Sequence, residues 1–312
     1  MAATLGAPAG RIAALGATMD LHHGLLMRIA VVGARGQLGA AVVHECAQAH
    51  ETIAFAHADL DVGHDAAVAA AMARAKPDVI VNAAAYTNVD DAEDHPVDAL
   101  NSNAFGVRAL ARAAGAHGAT LVHYSTDFVF DGRASAPYTE ADRPGPQSVY
   151  AASKLLGEWF AIDAPRALVL RVESLFGRAP GAGPAKGSVA AILNTLLAGG
   201  SPTVFVDRTI SPTYVIDAAR ATRQLLESDA PAGLYHCVNS GHCTWLELGE
   251  ELARQLGVEP RFVPVRMADV ALRAARPRYC ALSNEKLRSV GIEMPEWQDA
   301  LGRYVESLKS EV

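Results

Sequence analysis

The strongest restriction on the fold comes from one junction. The apolar run Arg28-Ile29-Ala30-Val31-Val32 leads directly into Gly33-Ala34-Arg35-Gly36-Gln37-Leu38-Gly39, and a helical pattern follows over Leu38–Gln48. A buried strand that turns on glycines into a helix brings bare backbone N–H groups and the positive helix end to one point. There they can hold a pyrophosphate, because glycines let backbone and phosphate approach closely. Further strands are expected at Thr52–Ala56, at Asp78–Asn82 after the helix-ending Lys76-Pro77, at Thr120–Tyr124 and at Ala167–Arg171, with helices between them. That alternation predicts an α/β protein built on a doubly wound parallel sheet.

After Arg171 the texture changes. Gly177 to Gly187 is rich in Gly, Pro and Ala, and later segments mix proline, aromatics and short apolar runs. The expected division is a dinucleotide-binding domain over 27–170 and a smaller substrate lobe over 171–312. Strand-like runs at 202–206 and 233–238 are expected to return to the first domain.

A chain of 312 residues with 50% hydrophobic and 20% charged residues can bury a core and is too apolar for intrinsic disorder. The formal net charge is −7 and no basic run occurs, which speaks against a nucleic-acid partner. The longest uncharged run, Gly187 to Val206, is broken by Gly199, Gly200 and Pro202, short of the roughly 20 continuous apolar residues of a membrane span. Four cysteines are too sparse for a disulfide framework, and a reducing cytoplasm is expected. Residues 1–26 lack the features of a signal peptide, and Met27 opens the first strand, so they read as a disordered extension or a misassigned start.

The sharpest chemical signal is Tyr150-Ala151-Ala152-Ser153-Lys154. Residues four apart on a helix share a face, so phenol and ammonium point into one site. An adjacent cation is expected to lower the phenol pKa from about 10 and make it a better proton donor to an alkoxide forming at a ketone. A partner hydroxyl is needed on the same oxygen, and Ser125 and Thr126 stand at the end of the strand before it. In parallel sheets ligands lie outside the carboxyl ends of the strands. The second strand's tip reads Ala56-His57 without the usual carboxylate, and Arg35 can meet a phosphate, which favours NADP(H). Asp59 and Asp61 leave NAD(H) open.

Several runs together resemble the extended short-chain dehydrogenase/reductases, and within them the dTDP-4-dehydrorhamnose reductase group. They are GARGQLG (33–39), DLDV (59–62), NAAAYTNVD (82–90) with Ala92-Glu93, STDFVFDG (125–132), YAASKLLGE (150–158), GLYH (233–236), Thr244-Trp245 and Arg276-Pro277. The resemblance implies a Rossmann-type sheet with a substrate lobe. It implies Tyr150 as the acid, Lys154 as the holder of the nicotinamide ribose, and Thr126 as the group that polarises the ketone. The cofactor would meet Gly33, Arg35, Gly36, Gln37, Leu38 and Gly39, with Leu60 and Asp61 at the adenine. Ala83, Ala84, Ala85 and Tyr86 would line the nicotinamide side, and Thr87 and Val89 would lie close to the sugar. Related dehydratases carry Asp-Glu after the Thr; here Phe128 follows Asp127, which disfavours dehydration. Two positions depart from the group's pattern. Glu173-Ser174 stands where the group has Ser-Trp, and Cys280 replaces a Ser.

Arg208, Arg276 and Arg278 are candidates for gripping a substrate pyrophosphate. Trp245 reads as helix core. His236-Cys237 and His242-Cys243 carry ligand types for zinc, but neighbours on a strand face opposite sides, and no metal is assigned. The expectation is a reductase that transfers hydride from NAD(P)H to a nucleotide-linked 4-keto-deoxysugar, dTDP-4-dehydrorhamnose first among them. Its partner would be a small-molecule sugar nucleotide, and a homodimer is compatible with it. The alternatives are a dinucleotide-binding regulatory subunit and a sugar-nucleotide epimerase.

Overall fold

The computed structural model describes residues 26–180 and 182–309. The expectation for the N-terminal extension therefore falls, but for Leu26, outside the described residues.

Six strands form one parallel sheet: β1 (Arg28–Val32), β2 (Glu51–Phe55), β3 (Val79–Asn82), β4 (Thr120–Thr126), β5 (Arg166–Val172) and β6 (Gly233–His236). Their spatial order is β6-β5-β4-β3-β1-β2. The central strands are apolar on both faces because both are covered by helices. On one face α1 (Gln37–Cys46) packs with a later helix, Val215–Glu227, around Ile29, Val31, Val122, Leu168 and Leu225. On the other, α2 (Asp65–Ala75) and α3 (Gly106–His117) bury Ala30, Val68, Met72, Leu110 and Leu121. The strand order reverses between β1 and β3, the place where open α/β sheets leave a crevice for ligands.

α4 (Val149–Ala161) follows β4. It starts where Ser148 Oγ accepts from Ala151 N at 3.2 Å, and the Glu93 carboxylate accepts from Val149 N at 2.8 Å. Both satisfy amides that a helix start leaves unpaired. The helix can lie close because residue 157 is glycine: a Cβ there would run into the Asn103 carbonyl.

The smaller lobe packs α5 (Ser188–Leu197), α7 (Trp245–Leu256) and α8 (Trp297–Lys309) around Phe176, Leu193, Leu248, Leu252 and Leu301, with the Val215–Glu227 helix (α6) joining it to the sheet. One strand expectation needs correction. Thr203–Phe205 does not join the main sheet but pairs in parallel with Val263–Val265, in a separate ribbon. A three-residue strand carries no mark of its partner, and the small lobe supplied one. β6 does lie beside β5. Among the described residues no helix is long and apolar enough to cross a membrane.

Candidate active site

At the carboxyl ends of β1, β2 and β3 lies a cavity of about 430 Å³, lined by Gly33, Arg35, Gly36, His57, Leu60, Asp61, Val62, Ala83, Ala84, Ala85, Tyr86 and Ser102. It gathers most of the cofactor candidates read from three separate runs. Gly33 has φ +80, and a Cβ there would come within 2.6 Å of Ala84 N, so only glycine lets these two loops cross. No side chain caps α1, whose first turn opens from Gly36. Those amides remain for an anionic ligand. The side chains of Gln37 and Leu38 turn away from this cavity, and Gly39 packs inward. Gln37 Nε2 donates to the Gly177 carbonyl at 2.7 Å, Leu38 is buried in the core, and Gly39 lies against the Gly33 carbonyl.

Asp59 Oδ2 accepts from Ala56 N at 2.9 Å, which commits it to the turn after β2. Asp61 Oδ1 accepts from Gly63 N at 2.9 Å. The cationic and imidazole side chains at this end of the cavity are Arg35 and His57. A phosphorylated dinucleotide fits such a wall by charge and hydrogen-bonding type.

Thr126 ends β4, and Tyr150 and Lys154 project from α4. Burial disfavours the Tyr150 phenolate, the nearby Thr126 hydroxyl favours it, and the Asp127 carboxyl adds to the rise. Burial prevails, and Tyr150 is pushed up to about 12. This corrects the expectation of a lowered phenol pKa: Lys154 is not among the groups that shift it. Its Nζ instead donates to the Tyr124 carbonyl at 2.5 Å, and burial brings the ammonium down to about 8, with Glu158 acting weakly against that. The Phe128 ring meets Tyr150 edge-on at 5.5 Å. Tyr86 and Val89 pack around the same phenol, whereas Thr87 is exposed.

Of the two hydroxyl candidates, Ser125 is committed elsewhere. It donates to Glu158 Oε1 at 2.5 Å, and the same carboxylate takes two 2.8 Å hydrogen bonds from Arg171. Arg171 and Glu158 form a fully buried ion pair beneath the site. Sequence reading missed these two, and also Asn103. Its amide oxygen accepts from Tyr86 N at 2.8 Å, and its nitrogen donates to the Tyr86 carbonyl and to Ser153 Oγ at 3.0 Å each. Asn103 thereby fastens the Ala85–Tyr86 loop to the helix of Tyr150. It sits in a π-turn, Asn101–Phe105, that no sequence signal announced.

The three arginines have different fates. Arg208 is buried, its guanidinium 5.3 Å from the Phe128 ring centre, and it lines a second cavity of about 250 Å³ with Phe205 and Trp245. Arg276 is forked onto Asp90, and Arg278 pairs with Asp207 at 2.6 Å. Trp245 opens α7 and is buried in the small-lobe core. His236 lies 3.4 Å from Arg171 and 3.1 Å from the Ser283 carbonyl, and burial lowers it to about 3; the Cys237 thiol meets Ala218 O. The two departures from the group's pattern, Glu173 and Cys280, prove to be neighbours. With Asp127 they bring one ligand-type atom each within 4.8 Å of one another, all buried.

The sequence pattern described as RmlD substrate binding domain matches residues 27–310. A Streptomyces antibioticus protein named probable dTDP-4,6-dihydroxy-2-methyloxan-3-one 4-ketoreductase is 36% identical over 282 residues, covering 88% of this chain and 93% of its own. A dTDP-4-dehydrorhamnose reductase of Burkholderia thailandensis is 34% identical, covering 91% of this chain and 100% of its own. Among solved structures, the dTDP-4-dehydrorhamnose reductase of Bacillus anthracis in complex with NADP superposes with a TM-score of 0.85 at 30% identity, over 91% of this chain and 100% of that one. The chain belongs to this RmlD substrate-binding family, the dTDP-4-dehydrorhamnose reductase group of the extended short-chain dehydrogenase/reductases.

Proposed function

We propose that the protein is a reductase that uses NADP(H) to reduce the keto group of a nucleotide-linked 4-keto-deoxysugar, with dTDP-4-dehydrorhamnose as the leading substrate and dTDP-rhamnose as product. The observation that carries this reading is the placement of Thr126 at the end of β4 next to Tyr150 and Lys154 on α4, at the carboxyl edge of the sheet and beside the cavity of about 430 Å³. The relatives named as ketoreductase and reductases support a catalytic protein over a regulatory subunit or an epimerase.

When bound, the dinucleotide would supply the hydride. Arg35, Gly36 and the first turn of α1 would hold its phosphates, and Arg35 with His57 favours the phosphorylated form over NAD(H). Lys154 would bind the ribose next to the ring. Thr126 would donate a hydrogen bond to the carbonyl oxygen and so stabilise the negative charge that grows there. Tyr150 would deliver its proton to that oxygen; even raised to about 12 it is a stronger acid than the alcohol being formed. The cavity beside Arg208, Phe205 and Trp245 offers an aromatic-lined place for the substrate's base, close to a cation for its diphosphate.

The division into a dinucleotide-binding unit, 27–170, and a substrate lobe, 171–312, belongs to the same proposal, as do a cytoplasmic location and a homodimer. Exposed Trp159 and Ile162 at the end of α4 support self-association. Following NADPH absorbance with dTDP-4-dehydrorhamnose and a panel of other 4-keto sugar nucleotides tests the function. Oxidation with at least one of them is expected, and none with any would refute it.

A further inference from the structure

Behind Thr126 lies a buried group of charges whose two carboxyls have no part in the hydride or proton transfer. Asp127, Glu173 and Arg208 are all buried, and each keeps a buried polar atom without a partner: Asp127 Oδ2, Glu173 Oε1 and Arg208 Nε. Glu173 Oε2 accepts from Ser211 N at 2.5 Å, and Asp127 Oδ1 shares a 3.0 Å hydrogen bond with Thr126 Oγ1. Arg208 Nη2 lies 3.7 Å from Cys280 Sγ, and the thiol donates to the Pro277 carbonyl at 3.3 Å.

Charge balance is decisive in such a place. One guanidinium can offset one carboxylate. Two buried carboxylates with oxygens within 4.8 Å of each other oppose each other's ionisation, and one proton held between them relieves that. Burial raises both carboxyls, Glu173 well above the usual range with Asp127 adding to the rise, while Arg208 pulls in the opposite direction. From the surrounding elements the pair also faces the Cys280 thiol, Asp127 faces Tyr150, and Glu173 faces Cys243 and Tyr279.

The proton matters because the Thr126 hydroxyl has one hydrogen and two lone pairs. One lone pair takes the Phe128 N–H at 3.3 Å. If Asp127 is ionised, the single hydrogen of Thr126 is drawn to it and away from the site. If Asp127 is neutral, its O–H can fill the second lone pair, and the hydrogen of Thr126 is free.

We propose that Asp127 and Glu173 share a single proton and act as a positioning pair that frees the Thr126 hydrogen for the substrate carbonyl. The proposal rests on the reductase reading for the oxygen that Thr126 meets, but the shared proton does not depend on it.

Two measurements test it. Infrared spectra of the protein alone at neutral pH are expected to show a protonated carboxyl band that disappears in both Asp127→Asn and Glu173→Gln, since each variant leaves one carboxylate for Arg208. Absence of the band from the unaltered protein, or its persistence in either variant, would overturn the proposal. In turnover, Glu173→Gln lets Asp127 ionise against Arg208. The expected result is a kcat roughly tenfold lower at neutral pH, recovering as pH falls, with KM and NADPH binding unchanged. The double variant Asp127→Asn/Glu173→Gln, in which the new side-chain amide at position 127 can donate to Thr126, should regain most of the loss. A kcat–pH profile of Glu173→Gln that superposes on the parent's would contradict the positioning role. If the band behaves as expected while the unaltered protein reduces no 4-keto sugar nucleotide, the reductase reading falls and takes the catalytic role with it, but the shared proton stands.

Discussion

Arg276 grips Asp90 with both ends of its guanidinium, each nitrogen 2.8 Å from a different carboxylate oxygen. Asp90 also accepts from Ala274 N at 2.9 Å, and Arg273 reaches Asp94 at 2.7 Å one turn further on. These bonds tie the loop after β3, which carries Ala83–Tyr86, to the segment before Pro277. That proline in turn packs against Gly132, where a Cβ would come within 2.5 Å of its ring. Arg276 is thus a clasp between the two parts of the chain that border the site.

Removing the clasp should loosen substrate binding more than chemistry. For Asp90→Asn the expected outcome is a KM for the sugar nucleotide raised several-fold with kcat within about twofold, because a partly exposed pair contributes on the order of 1 kcal/mol. The pH sign follows from the carboxyl being held down to about 2, chiefly by its hydrogen bonds from Arg276. The clasp stabilises the fold fully above the ordinary carboxylate range and loses that contribution as pH falls toward 2. Acid unfolding of Asp90→Asn should therefore be less steep than that of the parent, and an identical acid limb would count against the clasp.

Ser125 and Thr126 are adjacent hydroxyls with opposite expected phenotypes. Thr126→Ala removes a donor to the developing oxyanion and should cost about a hundredfold in kcat with little change in thermal stability. Ser125→Ala removes only one bond to Glu158 and should keep kcat within a few-fold while lowering the melting temperature. Glu158→Gln, which strands the Arg171 cation in the core, should destabilise by about 3–5 kcal/mol, measured by denaturant unfolding. Equal kinetic losses at 125 and 126 would break the assignment.

Arg35 is expected to set the dinucleotide preference. Losing a charge-assisted contact to a phosphate is worth about tenfold in affinity. Arg35→Ala should raise the KM for NADPH by that order and leave the KM for NADH nearly unchanged. A parallel rise for both would place Arg35 on the shared pyrophosphate instead.

Much of this was legible in the sequence, because its signals are local. A strand, a Gly-rich turn and a helix are adjacent in the chain, and Tyr150 and Lys154 lie one helical turn apart, so pattern alone locates them. What pattern could not reach depends on segments far apart. Thr203–Phe205 found its partner sixty residues on, at Val263–Val265. Asn103 stitches a loop to a helix from inside a π-turn. Glu173 and Cys280 look like unrelated oddities until the fold brings them to Asp127. The Tyr150 pKa was misjudged for the same reason: a neighbouring lysine is visible in the sequence, but neither the burial of the phenol nor the turn of Lys154 onto the Tyr124 carbonyl is.

The central claim is that Tyr150 gives its proton to a keto oxygen held by Thr126. Steady-state NADPH oxidation by Tyr150→Phe, with dTDP-4-dehydrorhamnose as substrate and NADPH binding measured alongside, tests it most directly. The account predicts a kcat at least about a hundredfold below the parent's with cofactor affinity unchanged. Turnover near the parent rate in that variant would contradict it.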